Sequence, residues 1–192
     1  MWSILYMKLS LVSYLDEQSS AAVREIQQKL SDVTGSKASL AAWEPHVTIG
    51  DGVEVSEVQL EKLKNHVEPL AKRTAAFKLK LHGIGSLDNW QGGAGETPFV
   101  IYLDIILNEN LVNIVNAVDL ISNHYQKWYS MPRPYLPHST LAFRDLDKEG
   151  YEKGLSYIER LNPDISALID HIAVVEKLPN SDRELIRFNL QK

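Results

Sequence analysis

The sequence predicts an α+β fold built from two similar halves, each with the order strand, helix, strand, helix, strand. Along the chain, segments in which every second residue is apolar are followed by segments with helical periodicity, and the same order occurs in both halves. In addition, the stretch PHVTIG (45–50) is followed 92 residues later by PHSTLA (137–142), so one Pro-His-x-Thr-apolar pattern stands at matching places in both halves. We therefore predict two lobes related by a pseudo-twofold axis.

The first half contains three predicted strands and two predicted helices. From Leu5 onward, apolar residues alternate with Tyr6, Lys8 and Ser10, which is the period-2 pattern of a strand with one buried face. The next segment repeats apolar residues at helical spacing and stops at Gly35. The predicted elements are a strand over 5–11, a helix over 16–35, a strand over 46–50, a helix over 56–73 and a strand over 76–85.

The second half repeats this order and adds a closing strand. Val112, Val115 and Val118 form a helical stripe, and three prolines in YSMPRPYLP then interrupt the chain. The predicted elements are a strand over 99–107, a helix over 110–128, a strand over 138–143, a helix over 147–161 and strands over 167–178 and 184–190.

A glycine-rich polar segment, residues 86–98, joins the two halves, which we predict to span 1–87 and 98–192 within one domain. Its run Gly92–Gly95 lacks the GK[ST] ending of a phosphate loop, and it does not stand between a strand and a helix. We interpret it as a flexible connection that could act as a lid.

Composition and charge limit the classes of function. The 192 residues are 44% hydrophobic and 23% charged, as in ordinary globular proteins, and no stretch approaches transmembrane length. A net charge of −5 argues against double-stranded DNA as a partner, and if the ligand is a phosphate compound, it predicts a small one. The absence of cysteine excludes disulfides and thiolate chemistry. Because the opening segment also lacks the features of a signal peptide, we expect a cytoplasmic monomer that does not bind membranes.

The repeated motif indicates a catalytic cleft. Residues i and i+2 of a strand point the same way, so His46 and Thr48 share a face, as do His138 and Thr140. If the two lobes face one another, both pairs reach one substrate. With an unperturbed pKa of about 6.5, one imidazole can act as general base and the other as general acid on a phosphoryl group, while the hydroxyls donate to its oxygens.

The paired HVTI and HSTL sequences resemble the two H-x-[ST]-x motifs of the two-histidine (2H) phosphoesterase superfamily, the LigT-like 2′-5′ RNA ligases and cyclic nucleotide phosphodiesterases. The resemblance covers nearly the whole chain. It implies a LigT-like fold with antiparallel-rich sheets around a central cleft and helices outside. It also implies chemistry without metal or cofactor on the 2′,3′-cyclic or 2′-5′ phosphates of a small nucleotide or short RNA end, with the same four motif residues as catalytic groups.

Five further residues are candidates for substrate binding. Trp43 and Tyr135 flank the motifs and could stack on a nucleobase, and Arg144 follows the second motif and could grip phosphate. Tyr6 and Lys8, on the polar face of the first strand, could line the same cleft. Each of the five could instead have a purely structural role.

Two alternative interpretations of the paired motif remain. The first is a noncatalytic module that binds nucleotides or RNA ends. The second is a metal site built on His46 and His138, which would need a third protein ligand, and the sequence contains neither an HxH nor an HExxH pattern. The remaining histidines are expected to be solvent-exposed (His66, His124) or structural (His82, His171).

Overall fold

The computed structural model of the protein describes residues 6–42, 44–90, 97–178 and 181–192. These ranges contain ten strands and five helices, and none of the helices is long and apolar enough to cross a membrane. In chain order the elements are β1 (Met7–Tyr14), α1 (Glu17–Thr34), α2 (Ala38–Ala42), β2 (His46–Thr48), β3 (Gly52–Val55), α3 (Glu57–Arg73), β4 (Phe77–Leu87), β5 (Val100–Ile106), α4 (Glu109–Ser122), β6 (Gln126–Tyr129), β7 (His138–Ala142), α5 (Lys148–Ile158), β8 (Asp164–Ile169), β9 (His171–Lys177) and β10 (Asp182–Asn189).

The strands form two antiparallel sheets, as the resemblance implies. The first sheet has the order β10-β9-β1-β3-β6, with β2 also paired to β1, and the second has the order β7-β5-β4-β8. The series β2-β1-β9-β10 in one sheet therefore matches β7-β5-β4-β8 in the other. The two motif strands, β2 and β7, occupy equivalent positions, so the predicted pseudo-twofold arrangement is confirmed.

Each sheet combines strands from both sides of the 86–98 segment. Strands β9 and β10, at the end of the chain, pair with β1 at its beginning, while β4 pairs with β5 and β8. Helices α1 and α5 pack on the second sheet, and α3 packs on the first. The buried aliphatic side chains of both sheets and all four long helices join in one core.

Local sequence signals predict the boundaries of α1 and α3 correctly. The Asp16 carboxylate accepts the Ser19 N–H at 3.1 Å and caps α1, which ends at Gly35 with φ of 79°. Ser56 and Gln59 form a capping box at the start of α3. The predicted helices over 16–35 and 56–73 are therefore confirmed, since the capping residues of each lie within the predicted bounds or directly beside them.

The helix predicted over 110–128 ends at Ser122, and 126–129 forms β6 instead. This segment pairs with β3, and the Trp128 indole donates to the Leu9 carbonyl at 2.9 Å while its ring covers Gly52. A side-chain Cβ at Gly52 would lie 2.6 Å from that ring. Contacts with distant strands thus decide the conformation of this segment against its helical pattern.

The single strand predicted over 167–178 is two strands that belong to different sheets. The chain passes from β8 to β9 at Asp170, whose carbonyl accepts the Leu190 N–H at 2.8 Å. In the predicted segment β8 buries Ala167 and Ile169 and β9 is buried over 171–175, so apolar residues stand on both sides of Asp170 and the sequence pattern shows no break. The short elements α2 and β3 were also not predicted.

Candidate active site

The two motifs lie on strands that contact each other across the two sheets. In β2, His46 and Thr48 are half-buried on either side of the fully buried Val47. In β7, His138 and Thr140 likewise flank a buried serine. Each histidine therefore shares a strand face with its threonine, as the sequence predicted, and charge on His138 acts on His46.

Both imidazoles are held in the same way. Nδ1 of His46 lies 2.8 Å from the carbonyl oxygen of Glu44, and Nδ1 of His138 lies 2.8 Å from that of Leu136. A carbonyl can only accept, so Nδ1 carries the proton in the neutral ring and Nε2 is the basic nitrogen. The two motifs thus hold their imidazoles in the same tautomer, each oriented by the carbonyl two residues before it.

Burial lowers the pKa of both imidazoles below the ordinary 6.5. The pKa of His46 falls to about 4, because burial is reinforced by the positive charge of Lys177. Burial also lowers the pKa of His138, although its bond to Leu136 and the negative charge of Asp104 oppose the change. Both rings are therefore neutral at pH 7 without ligand, which differs from the expectation based on unperturbed histidines.

Aromatic rings pack against both imidazoles. Tyr14, the cross-strand partner of His46, makes an edge contact with centroids 6.2 Å apart. Tyr102 and Trp90 contact His138 at 5.4 and 5.5 Å. Tyr14 lies on the same strand face as Tyr6 and Lys8, so extending the alternation would have found it, whereas Tyr102 and Trp90 carry no such signal.

An ion pair that the sequence did not predict lies beside His46. Lys177 at the end of β9 pairs with Asp182 at the start of β10, and their side chains are only 17% and 9% exposed. Asp182 and His46 line the same cavity of about 190 Å³. Its other lining residues are Val12, Tyr14, Arg24, Ala41, Ala42, Glu44 and Val175.

Comparison with known proteins identifies the family. The model of the 2′-5′ RNA ligase superfamily matches residues 52–180, about two thirds of the chain, including the second motif. The chain belongs to the 2′-5′ RNA ligase superfamily. No curated protein sequence matches it. The first motif lies outside the matched range, so its assignment depends on the cleft geometry.

Solved structures show that the fold of this superfamily member is LigT-like. Escherichia coli LigT complexed with 3′-AMP is 16% identical, with a TM-score of 0.70, and covers 98% of this chain and 100% of its own. The Thermus thermophilus protein TT0787 is 20% identical, with a TM-score of 0.65, and the match covers 96% of this chain and 98% of that one. E. coli LigT has also been solved with phosphate and with ATP.

The other predicted site residues of this superfamily member lie at different places relative to the two motifs. The Tyr135 hydroxyl donates to the Thr48 carbonyl at 2.7 Å and so connects the two motifs. Arg144 lies two residues after the end of β7 in a left-handed conformation (φ 67°), and its charge acts on Lys177. Trp43, like Gly92–Gly95, lies outside the described residues.

Tyr6 and Lys8 are not brought to the motifs. Lys8 pairs with Glu54 across the strands, with its ammonium 5.9 Å from the Trp128 ring. His46 pairs with Tyr14, six residues farther along β1, which is a separation of roughly 20 Å. Contacts of Tyr6 or Lys8 with the same phosphate are therefore not supported.

The remaining histidines lie apart from the cleft or are engaged in the fold. His171 is 4% exposed, its Nε2 accepts the Tyr14 N–H at 3.2 Å, and its Nδ1 bonds Asp170 at 2.7 Å, in agreement with a structural role. His66, His82 and His124 are exposed. Among the described residues, no three His, Asp or Glu side chains are grouped to hold a metal ion.

Buried contacts connect the loop before the second motif to the end of the first. Asp51 accepts the Met131 N–H at 2.7 Å and pairs with Lys127 and Arg133 at 2.6 and 3.4 Å. Arg133 also pairs with Asp119 at 2.7 Å. The loop 130–137 is therefore anchored at Asp51 and, through its tyrosine hydroxyl, at the first motif, which positions the two motifs relative to each other.

Proposed function

We propose that the protein is a 2H phosphoesterase that hydrolyses, or reversibly ligates, 2′,3′-cyclic or 2′-5′ phosphodiester bonds in nucleotides or short RNA ends. The observation that carries this proposal is the pair of equivalent imidazoles, each oriented through Nδ1 by a backbone carbonyl. Side chains fixed this way can move protons at two sides of one phosphoryl group.

In the hydrolytic direction, Nε2 of one histidine takes a proton from water as the water oxygen bonds to phosphorus. The bond from phosphorus to the leaving ribose oxygen breaks, and that oxygen receives a proton from Nε2 of the other histidine. Thr48 and Thr140 donate to the nonbridging oxygens as charge builds on them. The reverse sequence of steps is ligation.

The net charge of the chain favours a small substrate. The chain carries a net charge of −5, so its surface does not favour long polyanions. E. coli LigT, with the same fold, forms complexes with 3′-AMP and phosphate, which supports a small nucleotide as the ligand here.

The proposal is tested by turnover on a panel of nucleoside 2′,3′-cyclic phosphates and 2′-5′ dinucleotides, with and without EDTA. We expect turnover of at least one class, unchanged by the chelator, because both proton transfers use protein side chains. Saturable binding without turnover would instead identify a noncatalytic module. Activity that EDTA abolishes and one divalent cation restores would indicate a metallohydrolase.

The pH dependence of kcat/KM should be a bell with its optimum below pH 6.5. The base must be neutral and the acid protonated, and both pKa values in the free protein lie below 6.5, that of His46 at about 4. In the pH profile of kcat the alkaline limb should lie at higher pH, because a bound phosphate anion favours the imidazolium. An optimum of kcat/KM above pH 7.5 would contradict this assignment of the limbs.

A further inference from the structure

A cavity of about 190 Å³ lies on the His46 side of the paired motifs. His46 is one of its lining residues, whereas His138 is not among the described residues that line it. A group attached to a phosphate at His46 can therefore enter this cavity. Its volume is below the roughly 300 to 1,000 Å³ of pockets for drug-sized ligands, so the cavity suits one ring system and not a second nucleotide.

Apolar side chains form two walls of this cavity. Val12 of β1 and Val175 of β9 are 2% and 1% exposed and form a wall on the face of the first sheet. Ala41 and Ala42 of α2 form the other wall, and Tyr14 lies beside His46. A pocket with apolar walls and a few polar groups suits a flat aromatic group, whose polar atoms lie at its edge.

Three charged side chains also line the cavity, and two of them satisfy each other. Arg24 donates to the Leu40 carbonyl at 2.6 Å and pairs with the Glu44 carboxylate at 2.9 Å. The backbone carbonyl of Glu44 is the one that orients His46. Arg24 and Glu44 therefore form a fixed part of the wall.

Asp182 is the third charged group, and one of its carboxylate oxygens is unused. Its side chain is only 9% exposed, and Oδ2 accepts from the Lys177 ammonium. Among the described residues, none hydrogen-bonds the buried Oδ1. A buried acceptor without a partner is destabilising, and a ligand that donates to it recovers this loss. Because the χ2 torsion of aspartate is broad, one oxygen can turn to the cavity while the other keeps Lys177.

We infer that this cavity binds the nucleobase of the substrate, and that Asp182 selects a base with an exocyclic amino group, adenine or cytosine, over one with a carbonyl at the same position, hypoxanthine or uracil. The inference rests on the proposed function. An ionised carboxylate can only accept, so it bonds an amino group and repels a carbonyl oxygen. Asp182 thus determines specificity by contact with the base and takes no part in the proton transfers.

Matched ligands test this selection in the wild type without any assay of activity. Cytidine and uridine 3′-monophosphates differ in that the amino group of cytosine is a carbonyl in uracil, and adenosine and inosine 3′-monophosphates differ in the same way. Titration calorimetry should show tighter binding of the amino-bearing member of each pair by about 10- to 100-fold, the usual effect of a hydrogen bond to a charged group. Equal affinities within both pairs would overturn the inference.

Two variants of the ion pair test Asp182 itself. In Asp182→Asn the amide oxygen accepts from Lys177 and the amide N–H groups remain for the ligand, so the preference should reverse toward uridine and inosine. Lys177→Met with Asp182→Leu leaves no buried ammonium unpaired, and the members of each pair should then bind within about twofold of each other. Each ratio is measured within one protein, so a loss of stability affects both ligands alike. Wild-type ratios in both variants would refute the role of Asp182.

Asp164→Asn is the matched control, because Asp164 pairs with Lys80 in the other sheet and its side chain is more than half exposed. It should keep the wild-type ratios of affinity. Turnover separates this inference from the proposed function. If the wild type discriminates in binding yet turns over no phosphodiester, the proposed function fails and the base subsite stands. If it turns over cytidine and uridine 2′,3′-cyclic phosphates with equal kcat/KM and binds both monophosphates equally, the subsite fails and the proposed function stands.

Discussion

Replacing His46 or His138 singly with Ala is expected to lower kcat/KM by a factor of about 10² to 10⁴, the usual contribution of a positioned acid or base. Both rings are oriented through Nδ1 by a carbonyl, and in the proposed mechanism each variant removes one of the two proton transfers. The measurement is steady-state kinetics on the best substrate of the cyclic phosphate and 2′-5′ dinucleotide panel.

The double variant should lose much less than the product of the two single losses, because both residues act in one transition state. Thr48→Val and Thr140→Val should cost less than either histidine change, since each removes one donor to the phosphate. His66→Ala is the matched control, because that ring is exposed, and it should keep wild-type rates. Near-normal turnover of either single cleft variant on every accepted substrate would show that the paired motif is architectural.

Replacing Asp51 with Ala is expected to lower the free energy of unfolding by about 1 to 3 kcal/mol, the cost of leaving the buried Met131 N–H without its acceptor. The Asp51 side chain is only 2% exposed, and it accepts the Met131 N–H and pairs with Lys127 and Arg133. The variant leaves that N–H without its acceptor, whereas Arg133 keeps its pair with Asp119 and Lys127 its bond to Asn123. Urea denaturation followed by circular dichroism measures the change.

Two further variants serve as controls for the stability of Asp51→Ala. Asp51→Asn keeps an acceptor for the Met131 N–H and should lose less stability than Ala. Asp164→Ala removes an exposed partner of Lys80 and should cost at most about 1 kcal/mol. Because the loop 130–137 leads into His138, the folded fraction of Asp51→Ala should also be less active. An Asp51→Ala variant as stable as Asp164→Ala would refute the anchoring role of this carboxylate.

Much of the fold could be predicted because its signals are local. The helix over 16–35 has its stop residue and its apolar stripe within one short segment, and the structure has α1 there. The orientation of each His-x-Thr pair follows from the two-residue period of a strand, which holds whichever strands are its neighbours. For this reason the sequence alone could place four side chains on two matching strand faces.

Strand partners could not be predicted in the same way. The apolar run 167–178 is divided between two sheets, and 126–129 is a strand because β3 lies beside it. Pairing energy depends on residues far away in the chain, and the apolar residues on both sides of Asp170 give no sign that the chain changes sheet there. The turn at Asp170 is therefore a property of the assembled sheets.

The sequence by itself determined the repeated motif, the four side chains that share its faces, and the resemblance to the 2H phosphoesterases. Only the tertiary structure decided that Lys177 lies beside His46 and Asp104 beside His138, and that burial lowers the pKa of both rings. The reason is physical: Lys177 is 131 residues from His46, and both desolvation and Coulomb interaction depend on distance in space, which strand pairing sets, and not on distance along the chain.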